Sequence, residues 1–452
     1  MRLNRALYLA SISMAATCLP YWPVHDGNLL FASQTVAADA PSQQVDEERL
    51  PDRRRNVFLD RTQEITREAL MLVDRNQREG APRDQRWYAF RRFGEHLEEI
   101  LRTKEIRFYG GRETDVLRAI ADQYISVTPI EPNQDAGEIR LFLARRDNQN
   151  ADLVIIGQNG KEVALKTVIR LAYILKFKNG NTPHAFNRGL DSFLPKVKIY
   201  LSTIPPRQEF ISFFRRYRIA DPDAVIIGFE RDSRAVLRNS SMDEPELYSD
   251  DSLRINWYRG KKVLLVSING NRIFASRAGG LIEAMVENFH SPPRSLIFFG
   301  SAGAIDSADL VGQIVAPTVV INNDSDSSAR HKESTARIID NRAAMMLPIK
   351  TAHVSVASLA METMSWAKEN KHHRISTVDQ ELCHVIDAFD ASPYAGKVRL
   401  FVSVLVTDNV SSVWAHHEHT LKRAEDVIAD TASNRRAFLA RAFADAGIPH
   451  DR

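Results

Sequence analysis

The spacing of apolar residues changes along the chain and divides it into segments of different predicted structure. From residue 57 to about residue 126, apolar positions recur every three or four residues, as on one face of a helix. Between 139 and 220 the period shortens, and short apolar runs at 139–143, 153–156 and 197–201 predict strands. We therefore predict a mainly helical α+β region over residues 57–220.

After residue 221, apolar runs rich in β-branched residues alternate with amphipathic stretches. Strands are predicted at 224–229, 262–268, 295–299, 314–321, 352–357 and 398–406, and helices at 275–289 and 380–389. This alternation predicts a three-layer α/β domain with a central mixed sheet over residues 221–452. Ligands of such domains bind beyond the carboxyl ends of the strands, so we expect the chemistry to lie there.

The first 40 residues differ from the rest of the chain. Arg2 and Arg5 precede an uncharged apolar stretch, and Ala38 and Ala40 form the small-residue pattern that a signal peptidase accepts. We predict a signal peptide over 1–40, a polar linker over 41–56, and an exported protein that is periplasmic or secreted. The alternative is a cytoplasmic protein. Beyond residue 40 no uncharged apolar run approaches the roughly 18 residues that span a bilayer, so no membrane partner is expected for the mature form.

Composition narrows the function classes. With 44% hydrophobic and 26% charged residues among 452, the chain is not disordered, not collagen-like and not a polytopic membrane protein. Its net charge is +3 and its basic clusters are short and scattered, so nucleic acid is not an expected partner. The two cysteines, Cys18 and Cys383, form neither a disulfide framework nor a zinc-binding spacing, and no metal site is predicted.

Three predicted strand ends carry residues that are unusual for a strand end. The first reads Ile-Gly-Phe-Glu-Arg-Asp-Ser over 227–233. The second reads Phe-Gly-Ser-Ala-Gly-Ala over 299–304, followed by Leu-Val-Gly-Gln-Ile-Val over 310–315. The third reads Val-Thr-Asp-Asn over 406–409, and Asp-Gln-Glu at 379–381 opens the helix before it.

In this order the motifs resemble those of the nucleoside phosphorylase and nucleosidase superfamily. Its members carry a Gly-Ser/Thr-Ala-Gly-Gly turn, then Leu-x-x-Gly-Asp-Ile-Val, an (Asp/Glu)-Met-Glu segment and a Ser-Asp near the last core strand. The resemblance covers residues 222–430, about half of the chain. It implies a phosphorylase-like fold, a purine nucleoside or nucleotide as substrate, no cofactor, and a homodimer, since the family is commonly oligomeric.

The resemblance also implies roles for individual residues. Asp408 matches the acid that protonates the purine at N7, and Glu381 matches the glutamate that binds the ribose hydroxyls. These residue types suit the reaction, because cleavage of an N-glycosidic bond forms a cationic sugar and expels an anionic base. The other implied substrate contacts are Gly300, Ser301 and Gly303, in a close turn beneath the sugar, together with Ser358, Leu359 and Gln380.

The identity of the nucleophile, water or phosphate, decides whether such an enzyme catalyses hydrolysis or phosphorolysis. Phosphorylases of the superfamily place an arginine where this chain has Phe298, and their Gly-Asp-Pro-x-Arg element is not reproduced at 228–231. Water is therefore the predicted nucleophile. Hydrolases of this kind carry a water-activating glutamate where a gapless comparison puts Ser233, so we assign the base to Glu230 first and to Asp232 second.

These motifs predict a purine nucleosidase-like hydrolase that acts on an adenosine-like nucleoside or nucleotide. Two alternatives remain open. The first is a non-catalytic nucleoside-binding module that signals through the N-terminal region. The second is a phosphorylase that holds phosphate through Arg231, Arg234 or Arg272. A hydrolase needs a carboxylate from 230–232 that faces the sugar opposite Asp408, whereas Ser233 facing inward alone favours the binding module.

Overall fold

The computed structural model describes several segments of the chain, all of them within one compact unit, Arg54–Arg452. The described residues are 58–79, 102–130, 139–148, 150–178, 194–238, 244–250, 252–267, 275–322, 336–356, 361–410 and 424–449. The predicted signal peptide and linker lie outside these segments, as does part of the predicted helical stretch, from residue 80 to residue 101.

The first part of the described chain builds a six-stranded sheet. Its strands are β1 (Phe58–Asp60), β2 (Ile106–Gly110), β3 (Ser126–Pro129), β4 (Ile139–Arg145), β5 (Ala151–Gly157) and β6 (Val197–Ser202), in the order β1-β6-β2-β5-β4-β3. The central strand β2 pairs in parallel with both β5 and β6. Three helices cover the sheet: α1 (Thr62–Glu79) and α3 (Lys161–Lys178) on one face, and α2 (Glu113–Ile120) on the other.

This N-terminal sheet corrects part of the predicted helical stretch. Strand β2 lies within the segment whose apolar spacing was interpreted as helical. Phe108 packs in the core on one face of the sheet and Tyr109 in the core on the other, which is the two-residue period of a strand. Five residues are too short for the two periods to be told apart by spacing alone. The three strands predicted between 139 and 201 correspond to β4, β5 and β6.

A second, larger sheet follows. Its strands are β7 (Ala224–Ile227), β8 (Glu246–Ser249), β9 (Arg254–Tyr258), β10 (Val263–Val266), β11 (Ser295–Ala304), β12 (Ile314–Asn322), β13 (Ala336–Ile338), β14 (Lys350–Ser355), β15 (Thr377–Asp379) and β16 (Arg399–Asn409). The order is β13-β12-β14-β15-β11-β7-β10-β9-β8, and β16 pairs with both β11 and β12. Strand β7 is parallel to β10 and β11, whereas β15 is antiparallel to β11. The predicted central mixed sheet is confirmed.

Five strands of this sheet form a closed circuit of pairing. Strand β11 pairs with β16, β16 with β12, β12 with β14, β14 with β15, and β15 again with β11. Backbone hydrogen bonds therefore fix the ends of β11, β15 and β16 relative to one another. These are three of the strands whose ends carry the predicted chemistry.

Helices cover both faces of the second sheet, which makes the three layers expected from the sequence. Helices α4 (Pro206–Tyr217), α6 (Ser276–Asn288) and α8 (Leu382–Asp390) pack on one face, and α5 (Glu230–Leu237) and α10 (Ala432–Ala446) on the other. The two remaining described helices are α7 (Met364–His372) and α9 (Ala424–Asp430). Helix α4 belongs to this core although it precedes residue 221, where the sequence pattern changes.

Consecutive side chains of β11 point to opposite faces of the second sheet, so Phe298 packs against one helix layer and Phe299 against the other.

Within the described parts of the chain, no helix combines the length and the apolar character needed to cross a bilayer.

Candidate active site

Gly303 on β11 joins the two strand ends that carry the predicted acid and the predicted sugar-binding carboxylate. It pairs with Val378 of β15 on one side and with Asp408 of β16 on the other. Three residues after Val378 comes Glu381, immediately before α8. The fold therefore brings the second and third motifs of the sequence together at one end of the closed circuit of strands.

The glycine motif at 300–304 is extended strand rather than the close turn that the resemblance implies. Neither Gly300 nor Gly303 has a positive φ, and both lie within β11. Their lack of a side chain matters for close approach instead. A Cβ on Gly300 would lie 2.9 Å from the ring of Phe298, and one on Gly303 would lie 3.0 Å from Val410 and 3.5 Å from Asp408. Ser301, between them, is exposed.

Asp408 is partly exposed and stands just after an irregularity in the strand. The pairing of β11 with β16 shifts between Ala302 and Gly303, so that Thr407 is an extra residue on β16. The Thr407 hydroxyl donates to Asp408 Oδ1 at 3.0 Å. This bulge places two consecutive side chains together and fixes the orientation of the carboxyl group that the sequence assigns as the acid.

Asp379 is the centre of the hydrogen bonds that hold Glu381 in place. Its carboxylate accepts from the backbone N–H of Glu381 at 3.2 Å and from that of Leu382, the first residue of α8, at 3.1 Å. The Ser355 hydroxyl donates to Asp379 Oδ1 at 2.6 Å and accepts from Cys383 N–H at 2.9 Å. Since Asp379 and Ser355 are buried, the start of α8 has a fixed position.

A buried histidine extends this network beneath the site. His353 Nδ1 lies 2.9 Å from the Thr377 hydroxyl. Its Nε2 lies 2.9 Å from Asp379 Oδ1, although the angle is not that of a hydrogen bond. Nothing in the sequence pattern marked His353, because it stands inside a predicted strand with no motif around it. The pairing of β14 with β15 brings the two side chains together.

Glu381 carries the most strongly perturbed carboxyl group at this end of the sheet. Burial raises its pKa to about 8, and the neighbouring negative charge of Asp379 adds to the effect. Lys166 acts in the opposite direction, and so do the backbone N–H of Gln380 and the side chain of His384. A carboxyl group with such a pKa changes charge near neutral pH, as groups of functional sites do.

This pKa predicts a pH-dependent stability. Because the pKa of folded Glu381 lies above its ordinary value, Glu381 stabilises the protein below about pH 4.5, and this contribution is lost as the pH rises through about 8. The variant Glu381→Gln should lack this decline, so between pH 5 and pH 9 it should gain roughly 2–4 kcal/mol relative to the wild type. Thermal melting across this range measures the difference. Glu369→Gln, at an exposed position of α7, is the matched control, and equal slopes for all three proteins would disprove the pKa shift.

Glu230, the preferred base, is directed away from this end of the sheet. It is buried at the start of α5, and Asn256 Nδ2 donates to its carboxylate at 3.0 Å. Arg234 and Arg254 lie 3.6 and 3.7 Å from the same oxygen. Asn256 and Arg254 belong to β9, which is separated from β11 by β7 and β10. The structure therefore does not bring the Glu230 carboxylate together with Asp408.

Asp232, the second choice of base, forms a buried ion pair instead. Arg435 on α10 donates to its carboxylate at 2.7 Å, and Arg436 donates to the other oxygen at 3.1 Å. Both Asp232 and Arg435 are almost fully buried. This pair lies in the helix layer of Phe299, whereas α8 lies in the layer of Phe298, so Asp232 and Glu381 are on opposite faces of the sheet. Ser233 is fully buried, with its hydroxyl 3.5 Å from the Gly228 carbonyl oxygen.

The remaining residues named from the sequence add no further group to the candidate site. Gln380 is buried beside Asp379, and Cys383 is a buried free thiol, as its place on an apolar helix face predicts. Burial raises the pKa of that thiol far above its usual range. Among the residues described, no group of three or more His, Cys, Asp or Glu side chains could hold a metal ion. Ser358, Leu359 and Arg272 lie outside the described residues.

Several solved structures match this chain over about half its length. The 5′-methylthioadenosine/S-adenosyl homocysteine nucleosidase of Campylobacter jejuni is 14% identical with a TM-score of 0.37, and the match covers 48% of this chain and 96% of that one. A futalosine hydrolase mutant of Helicobacter pylori is 10% identical with a TM-score of 0.35, and 49% and 97% of the two chains are covered. A methylthioadenosine phosphorylase from an Antarctic soil metagenomic library is 13% identical with a TM-score of 0.34, and 51% and 89% are covered.

The chain is thus similar to nucleosidases and to a phosphorylase. These enzymes are members of the nucleoside phosphorylase and nucleosidase superfamily, which the motifs at 300–315, 379–381 and 407–408 resemble. No family model and no curated protein matches the sequence.

Proposed function

We propose that this protein cleaves the N-glycosidic bond of a purine nucleoside or nucleotide, with water as the nucleophile. The observation that carries the proposal is the pairing of Gly303 with both Val378 and Asp408, because it brings the two carboxyl groups to which we assign the roles of acid and sugar ligand to one end of the closed circuit. Asp408 is the second-last residue of β16 and Glu381 follows the end of β15, and α/β proteins bind their ligands at such strand ends.

Asp408 and Glu381 have complementary roles in this reaction. As the bond between C1′ and the purine nitrogen breaks, the bonding electrons go to the base and Asp408 gives a proton to purine N7. Glu381 accepts hydrogen bonds from the ribose hydroxyls, and its negative charge stabilises the positive charge that develops on the sugar. The oxygen of a water molecule then bonds to C1′, the proton that the water loses passes to the solvent, and Asp408 takes up a proton from the solvent for the next turnover.

Two features favour water over phosphate. Phe298, where phosphorylases of the superfamily place a phosphate-binding arginine, is buried in the apolar core. Of the arginines named for phosphate binding, Arg234 lies 3.6 Å from Glu230 and Arg231 is exposed on α5. The Glu230 carboxylate points towards β9, so the proposal does not assign it to water activation. Most of the rate enhancement is assigned to Asp408 and Glu381.

A second candidate function, nucleoside binding without cleavage, is suggested by the two carboxylates of the motif at 227–233. The carboxylates of Glu230 and Asp232 are both engaged by other side chains, which is the arrangement expected of a protein that binds a nucleoside without cleaving it. The N-terminal sheet would then respond to the bound ligand. This candidate differs from the first in one measurable property, the release of free base.

Base release distinguishes these functions. The full chain is incubated with adenosine, inosine, methylthioadenosine or AMP, each with and without phosphate, and free base is separated by chromatography. Release that does not depend on phosphate is the expected result. Release only with phosphate would make the protein a phosphorylase, and nucleoside binding without release of base would support the binding module.

A further inference from the structure

The apolar core of the N-terminal region includes residues that also pack near the candidate active site. Ala275, the residue before α6, is fully buried within the core formed by α1, α3 and the N-terminal sheet. Met361 packs against that core and also against the apolar cluster that contains Val378 and Val410. Val378 and Val410 are the residues that surround Gly303. The core that α3 helps to form therefore extends, through Met361, to the end of the sheet that carries Asp408 and Glu381.

Two cations on α3 are buried. Lys166 and Arg170 are separated by one helical turn, so they lie on the same face, and they are 8% and 7% exposed. Lysine and arginine are almost never buried to this degree unless they are paired. Lys161, at the start of the same helix, shows the contrast, since it is partly exposed and pairs with Glu64 and Glu68 on α1.

Helix α8, which begins just after Glu381, packs directly on helix α6. Gly279 of α6 packs so closely on α8 that a Cβ there would lie 2.8 Å from the carbonyl oxygen of His384. Because α6 begins at the N-terminal core and touches α8, the position of Glu381 is linked to that core by direct packing. The charged and titratable groups that act on Glu381 are Asp379, His384 of α8 and Lys166 of α3.

We propose that the N-terminal region supplies part of the active site, with Lys166 as a positioning residue for the Glu381 carboxylate. This inference rests on the proposed function, since it assigns to Glu381 the binding of the sugar hydroxyls. The positive charge of Lys166 opposes the negative charge of Asp379 and favours the ionised form of Glu381. That form is the one that accepts hydrogen bonds from two hydroxyl groups. The N-terminal region then sets the affinity for the sugar.

The pH profile of base release tests this role. In Lys166→Met the pKa of Glu381 should rise, so the acid limb of kcat/KM should move by about one unit to higher pH, a loss of about tenfold on that limb. Lys166→Arg should restore the wild-type profile because it restores the charge. Lys161→Met, on the exposed part of α3, should leave the profile unchanged. A loss of activity at every pH without a shift of the limb would overturn the proposal.

A second measurement separates this inference from the proposed function. Melting temperatures at pH 9 are compared for the wild type, Lys166→Met, Glu381→Gln and the double variant. If Lys166 acts on ionised Glu381, Lys166→Met should lower the melting temperature less in the Glu381→Gln background than in the wild type. Equal losses in both backgrounds would refute the electrostatic interaction between Lys166 and Glu381. This cycle gives its answer even if no nucleoside is cleaved.

Discussion

Asp408→Asn is expected to reduce purine release by roughly 10²–10⁴-fold, because asparagine cannot transfer a proton to the leaving base. The loss should appear in kcat, since the proton is needed only as the bond breaks. The change keeps the shape of the side chain and leaves an oxygen that can accept from Thr407, so the fold should be retained. Steady-state rates of base release measure the effect.

Two comparisons make this result specific. Asp340→Asn, which removes an exposed carboxylate between β13 and β14, should retain the wild-type rate. Nucleosides that carry a better leaving group should lose less activity in Asp408→Asn, since they depend less on protonation. A variant that released adenine at an unchanged rate would remove Asp408 from the mechanism.

Asp232→Asn is expected to lower the free energy of unfolding by about 3–5 kcal/mol, the usual cost of removing one partner from a buried ion pair. Arg435 would then remain buried without its counter-charge, 2.7 Å from a neutral amide. Where the variant is folded, its kcat should stay within a few-fold of the wild-type value, because the side chain lies on the face of the sheet opposite Glu381. Denaturant unfolding and base release are measured on the same protein.

The control for Asp232 is Asp445→Asn, on the exposed side of α10, which should change stability by less than about 0.5 kcal/mol. A stable Asp232→Asn protein whose kcat fell by the factor expected for the loss of a general base would return Asp232 to the mechanism and refute its assignment as an ion-pair residue.

Six of the ten strands of the second sheet were predictable, because each is a buried strand with a continuous apolar run in the sequence, whereas β8, β9, β13 and β15 were not predicted. All six apolar runs predicted after residue 221 correspond to strands, with ends that differ by a few residues. The two helices predicted there also exist, as α6 and α8. Strand β15 was missed because three residues, Thr377–Asp379, show no period. Its identity as a strand depends on its neighbours β14 and β11.

The candidate site was predictable only in part, because some of its residues make contacts with residues that are distant in the sequence. Asp408 stands near the end of β16 and Glu381 follows β15, and both belong to the motifs through which the resemblance implies their roles. The environment of Asp232 depends on Arg435, which is 203 residues away, and that of Glu230 on Asn256, which is 26 residues away. No local pattern reports such contacts. Lys166 lies on helix α3, which packs on the N-terminal sheet, and the role proposed for it depends on the folded structure and on no local motif.

Because of the bulge at Thr407, the candidate site depends on how many residues β16 contains as well as on which residues they are. In a regular strand consecutive side chains point to opposite faces, so Thr407 and Asp408 could not be hydrogen-bonded neighbours there. The extra residue on β16 allows it. Substitutions nearby can preserve this arrangement, whereas a one-residue deletion upstream in β16 would change the face to which Asp408 points. Natural variation in this strand should therefore consist of replacements, since an insertion or deletion would disrupt the arrangement on which the proposed role of Asp408 depends.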